Sequence, residues 1–203
     1  MINRLILPVA FLALAALMLM IACSGEPKQV DAYGMQNQIE RGKYLVNIGG
    51  CNDCHTPKIY TDKGPVPDES RLLAGHPANG TLPDVPNNLI TPEGWAAITN
   101  SDFTAWVGPW GISYAANLTP DEVTGTGAWL ESSFVDAMRN GKHMGTGRAI
   151  LPPMPWMNIG QLSDDDLRAI FAYLQSLKPI NNMVPQPVSA EKLMSGAQPK
   201  STM

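Results

Sequence analysis

The residues Cys51-Asn52-Asp53-Cys54-His55 bring two thiols and an imidazole together within five positions. Two thiols spaced three apart can each form a thioether to one vinyl group of a haem. The adjacent imidazole then lies under the ring as the proximal ligand of the iron. The run is the attachment signature of a c-type haem, and it occurs once, so one covalent haem c is expected on Cys51, Cys54 and His55. Two other uses compete. A Cys51–Cys54 redox disulfide would want a βαβ context, which the flanking sequence does not offer. A zinc site would need one of His76 or His143 as a fourth ligand, and the adjacent pair Cys54 and His55 suits one tetrahedral ion poorly.

A haem iron has a second axial position, and its occupant separates a carrier from a catalyst. A thioether sulfur favours ferrous iron and raises the potential. Eight methionines follow residue 22, so a methionine alone means little. Met154 has the most informative setting, Leu151-Pro152-Pro153-Met154-Pro155-Trp156, where prolines on both sides stiffen an extended backbone. Such a loop can hold a weak ligand against iron at low entropic cost. Met157 shares the loop without the prolines, and Met144 sits in Lys142-His143-Met144-Gly145. His76 and His143 are the remaining histidines, and either as ligand would give a bis-histidine carrier. Arg148 and Lys142 are candidates to pair haem propionates. Trp106, Trp110, Trp129 and Trp156 are candidates to line the pocket or donate an N–H there.

The elements that must position these groups read as helices joined by loops. A first helix is expected over 36–49, leading directly into the cysteine motif, with Ile39, Leu45 and Val46 near one face. Gly42 within it reads either as a close contact or as a tolerated surface glycine, since Gly costs up to ~1 kcal/mol against Ala in a helix interior. Residues 56–100 are rich in Pro and Gly and read as a long loop region with short strand or turn pieces at most. A short helix is expected over 102–107, and Thr119-Pro120-Asp121-Glu122 has the pattern of a helix cap. Leu130, Phe134, Val135 and Met138 lie at helical spacing, with Gly141 as the stop. The clearest helix begins after Ser163. Three aspartates occupy its first turn, Leu167, Ile170, Phe171, Leu174 and Leu177 form an apolar stripe, and Pro179 ends it.

The chain ends add a compartment. Arg4 is the only charge before an apolar run from Leu5 to Ala22, which reads as an export signal. Met20-Ile21-Ala22-Cys23 resembles a lipoprotein cleavage box, which would place lipid on Cys23. Residues 1–22 are then a signal peptide, 23–35 a tether, 36–180 the folded domain and 181–203 an extended or disordered tail. With Cys23 lipidated and Cys51 and Cys54 on haem, no cysteine remains for a disulfide. The chain from Cys23 onward carries 13 basic and 18 acidic residues, a net charge of −5. That balance argues against nucleic-acid binding and favours partners with positive patches.

These residues together resemble the class I cytochrome c superfamily, and more closely the monohaem c-type cytochromes of bacterial cell envelopes. The likeness rests on Gly49-Gly50-Cys51-Asn52-Asp53-Cys54-His55-Thr56-Pro57, Leu73-Ala74-Gly75-His76-Pro77, Ala116-Asn117-Leu118-Thr119-Pro120-Asp121, Gly141-Lys142-His143-Met144-Gly145 and the methionine loop. It implies an all-α cytochrome c fold, with helices around one haem and a long Pro/Gly-rich loop insertion. It also implies a non-enzymatic electron carrier on the periplasmic side of the envelope. Redox protein partners would be a membrane dehydrogenase as donor and a terminal oxidase or another cytochrome as acceptor. Related domains occur in cytochrome subunits of membrane-bound alcohol and aldehyde dehydrogenases, where the methionine of a Met-Pro-aromatic run ligates iron. The resemblance carries that role onto Met154. Two departures stand out: the interval from His55 to Met154 is long for a minimal domain, and those subunits often have three haem motifs where this chain has one. A haem enzyme or gas sensor with an open or labile sixth position is the alternative reading.

Overall fold

A computed structural model describes residues 32–85 and 94–195. The export signal, the Cys23 lipid site and most of the tether lie outside these residues. The first helix, α1, runs Ala32–Ile48 and so begins inside the stretch read as tether. Gly50 takes a left-handed conformation (φ 66°) that turns the chain into a five-residue helix, α2, Cys51–His55. An antiparallel hairpin follows, β1 (Lys58–Thr61) against β2 (Gly64–Pro67). A 3-10 turn over Glu69–Arg71 is capped by the Asp68 carboxylate, which accepts from Ser70 N.

The middle of the chain corrects the all-α expectation. Strands β3 (Ile98–Thr99), β4 (Ala105–Gly108), β5 (Gly111–Tyr114) and β6 (Val188–Ser189) form one antiparallel sheet in that order. The helix expected over 102–107 is strand β4. Its Ala105 and Val107 are buried and it pairs on both edges, which satisfies backbone groups that so short a helix would leave open. The helix cap expected at Thr119 is also absent. Its hydroxyl donates to Asn117 Oδ1, and the Asp121 carboxylate accepts from Thr124 N and Oγ1, so these side chains close a turn.

Helix α3 spans Glu131–Asn140 and stops at Gly141 (φ 63°), as its spacing predicts. Phe134, Ala137 and Met138 form its buried face, whereas Leu130, assigned to the stripe, is the N-cap residue and 69% exposed. A one-turn helix, α4, covers Trp156–Ile159. Helix α5 covers Asp164–Ser176, with the Ser163 hydroxyl accepting from Asp166 N at 3.1 Å. A last short helix, α6, covers Ala190–Met194.

The core joins Leu45 and Val46 of α1 to Phe134, Ala137 and Met138 of α3 and to Leu167, Ile170, Phe171 and Leu174 of α5. Gly42 explains how α1 and α5 come so close: a Cβ there would collide with the Ala169 carbonyl and stand 2.8 Å from Tyr173 Cβ. Burying each large apolar side chain contributes roughly 1.5–3 kcal/mol, which outweighs the ~1 kcal/mol propensity cost of the glycine. Exposed ion pairs Arg41–Asp166 (2.9 Å) and Arg168–Glu131 (3.1 Å) tie α5 to α1 and α3. They orient the helices more than they stabilise them, since exposed pairs contribute at most ~1 kcal/mol.

Beyond Ile180, the stretch read as a surface tail is fastened to the domain. Asn182 Nδ2 donates to Ala74 O (2.7 Å) and His76 O (2.9 Å), and its Oδ1 accepts from Ala78 N (2.8 Å). The chain then adds β6 to the edge of β5.

Candidate haem site

Helix α2 places Cys51 and Cys54 three residues apart, hence on one side of the helix. Both are free, partly buried thiols. Burial pushes the Cys51 thiol up to about 11 and raises that of Cys54 as well. A dithiol–disulfide centre needs the opposite, a thiol whose pKa is lowered so that the thiolate is available. The pair is therefore poorly suited to redox exchange.

His55 closes α2 and is 8% exposed. Its Nδ1 lies 2.8 Å from the Ala116 carbonyl, which can only accept, so Nδ1 carries the proton and Nε2 the lone pair. Burial lowers the pKa of the ring and keeps it neutral. A neutral imidazole with one nitrogen engaged and the other free to donate a lone pair is the form that binds a metal. The backbone around it is pinned as well. Gly75 N donates to His55 O (2.8 Å), and the buried Thr56 hydroxyl accepts from Leu73 N (2.9 Å). Lys58 Nζ lies over the carboxyl end of α2, donating to the carbonyls of Asn52 (3.0 Å), Asp53 (2.9 Å) and Thr56. A cation there sits favourably at the carbonyl end of the short helix, where few carbonyls find backbone partners.

Met154 is partly buried against the hydrophobic core and lies near His55. Its rivals stand apart from such a setting: Met157 is 62% exposed, and Met144 is exposed in a 3-10 turn over His143–Gly145. The Met154 loop is fixed by Trp156 N donating to Met154 O (2.9 Å) and by the Ser113 hydroxyl donating to Pro152 O (2.6 Å).

Of the other candidates, Trp106 lies close enough to hydrogen-bond the Cys54 thiol, and the rest take structural places. His76 is buried, with Nδ1 2.8 Å from Thr104 Oγ1 and its ring tilted on Tyr114. His143 meets the Trp129 ring edge-on. Trp106 Nε1 donates to Phe103 O, Trp110 Nε1 to Ser113 Oγ, and the Trp156 ring fills the space beside Gly141. Lys142 and Arg148 have no carboxylate partner among the described residues, where ion pairs form at Arg41, Arg71, Arg139 and Arg168. No group of three or more His, Cys, Asp or Glu side chains among the described residues is arranged to hold a metal ion, so the zinc reading finds no ligand set there. The donor set therefore fits a haem: two adjacent thiols for attachment, one imidazole in the ligating tautomer, and a thioether nearby.

Three contributors have no signal in the sequence. Ala116 acts through its backbone oxygen, Ser113 is one serine among many, and Lys58 is an ordinary lysine until its carbonyl partners are known.

Comparison with known proteins agrees with this chemistry. No family model matches the chain. It is 36% identical over 163 residues to a nicotinate dehydrogenase subunit from Pseudomonas putida, covering 78% of this chain and 10% of that protein. It is 33% identical over 181 residues to the cytochrome c subunit of the quinone alcohol dehydrogenase of Gluconacetobacter polyoxogenes, covering 85% of this chain and 32% of the relative. A dihaem c-type cytochrome of Cereibacter sphaeroides is 29% identical over 163 residues, covering 77% of this chain and 41% of the relative. The chain is homologous to cytochrome c subunits of membrane-bound dehydrogenases and belongs to the cytochrome c family. It spans well under half the length of each of these relatives.

Proposed function

We propose that this protein is a monohaem c-type cytochrome that carries single electrons between redox proteins of the bacterial cell envelope. The observation that supports this most is the buried His55, held by Ala116 O in its iron-binding tautomer directly beside Cys54. Cys51 and Cys54 would hold the haem covalently, with His55 and Met154 as axial ligands. Haem c, when bound, supplies a one-electron couple. The protein's part is to keep both ligands in place in both oxidation states and to tune the potential. The hydrogen bonds on His55, on Thr56 and on the Met154 loop serve that end.

Several relatives are cytochrome c subunits of dehydrogenases, so partnership with a membrane dehydrogenase as electron donor is part of the reading. A terminal oxidase or another cytochrome would accept. The apolar run before Cys23 supports export to the periplasmic side and a lipid anchor there. No helix among the described residues is long and apolar enough to cross a membrane.

The test is the visible spectrum of the ferrous protein with and without CO, in wild type and Met154→Ala. A six-coordinate spectrum unmoved by CO in the wild type, and shifted in the variant, is the expected outcome. Immediate CO binding by the wild type would overturn His/Met ligation and favour the enzyme or sensor reading.

A further inference from the structure

The two ligand arms reach the same short piece of chain. Ala116 accepts from His55 Nδ1, while Ser113, three residues earlier, donates to Pro152 O, two residues before Met154. Ser113 is 7% exposed and lies on β5, which is paired on both edges, to β4 and to β6. Its hydroxyl has one proton, and that proton goes to Pro152 at 2.6 Å; its oxygen in turn accepts from Trp110 Nε1 at 3.2 Å. Both directions of the hydroxyl are thereby fixed, so it cannot turn away from the loop without losing two partners. At the other end Ala115 N donates to Thr104 O (2.8 Å), and Ala115 O accepts from His76 N (2.9 Å). The segment from 113 to 116 is held on every side.

We propose that Ser113 is a positioning residue for Met154: through Pro152 it holds the thioether loop at a fixed height relative to the segment that orients His55. This inference rests on Met154 being the second ligand. A thioether binds iron weakly, so the bond's persistence depends on how little the loop moves when it lets go. A single buried hydrogen bond to the loop backbone then translates into ligand retention. The insertion between the haem motif and the methionine loop gains a purpose: it delivers a four-residue segment, the end of β5 and the two residues after it, that touches both ligand arms.

The experiment is imidazole binding to the ferric haem protein, because imidazole must displace the methionine sulfur. It is read alongside the weak far-red charge-transfer band that ferric iron shows only with a thioether ligand. Ser113→Ala is expected to bind imidazole about five- to tenfold more tightly than wild type, the fold-change that loss of one net hydrogen bond implies. Ser113→Thr, which keeps the hydroxyl, should restore wild-type binding. Trp110→Phe, which leaves the serine proton but removes its outer anchor, should fall between them and serves if Ser113→Ala does not accumulate. Arg168→Ala, which removes an exposed ion pair between α5 and α3 and touches neither ligand arm, should leave imidazole affinity at the wild-type value. Equal affinity in Ser113→Ala and wild type, with Met154→Ala clearly opening the site, would overturn the role of Ser113 alone. If Met154→Ala leaves both band and affinity unchanged, the ligand assignment falls and the positioning role with it.

Discussion

Lys58 Nζ lies 2.9 Å from the carbonyl oxygen of Asp53, inside the cysteine motif, and binds the carbonyls of Asn52 and Thr56 as well. A positive charge is thus anchored at the end of the helix that bears both attachment cysteines. Positive charge near an iron disfavours its ferric state. Lys58→Met should therefore lower the midpoint potential by tens of millivolts, since ~1 kcal/mol of charge interaction corresponds to ~40 mV for one electron. Lys58→Arg should recover most of the shift. Spectroelectrochemical titration of the three proteins checks this, and a potential unchanged in Lys58→Met would show that the lysine serves structure alone.

At Gly42, α1 lies directly against the Ala169 backbone of α5. Gly42→Ala removes a poor helix former, which by itself would stabilise α1 by ~1 kcal/mol. Its methyl group must displace the Ala169 carbonyl and the Tyr173 side chain, and overpacking of that kind costs about 1–3 kcal/mol. The clash is with backbone, which cannot swing aside, so the cost outweighs the gain and net destabilisation of up to about 2 kcal/mol is expected in urea denaturation. A more stable variant would mean that the helices can separate freely.

Asn182 satisfies three backbone groups from residues 74–78 with one side chain. Asn182→Ala should cost about 2 kcal/mol, because two carbonyls and one N–H lose their partner together. Hydrogen exchange should speed up at Ala78, whose amide is the donor. Unchanged protection there would show that water replaces the side chain at no cost.

His76 supplies a pH dependence. Burial lowers its pKa below the ordinary 6.5, and Asp102 nearby opposes the shift only in part. The Gly80 backbone also opposes the shift, and Thr104 and Tyr114 lie close by; burial raises the Tyr114 pKa above the ordinary 10, so it stays neutral through this range. Below 6.5 the unfolded chain takes up a proton that the folded chain resists, so stability falls as the pH drops from 6.5 towards the folded pKa. The slope from this residue is at most ~1.4 kcal/mol per pH unit. His55 and His143 shift in the same direction, so the measurement is a difference. His76→Gln should show a shallower loss of stability between about pH 5 and 6.5 than wild type, and parallel curves would assign the effect elsewhere.

The parts of the site that are legible in the sequence are those whose chemistry is local. Cys51, Cys54 and His55 declare themselves in five residues. The α5 cap and stripe do so in fifteen, because a 3.6-residue period accumulates over four turns. The sheet does not. β3 and β6 have two residues each, and β6 pairs with a strand more than seventy residues away, so neither period nor proximity announces it. β4 is buried along most of its length and shows no alternation, which makes 102–107 readable as a helix turn. The same reasoning covers Ala116: a carbonyl oxygen orients His55, and any residue could stand there.

Because β6 covers the edge of β5, the sheet that carries Ser113 is completed only by late residues of the chain. Synthesis delivers Cys51 and Cys54 first, Met154 ninety-nine residues after His55, and the strand that closes the sheet later still. A chain cut short before Val188 would leave that edge of β5 with unpaired N–H and C=O groups, open to water or to a strand from another molecule.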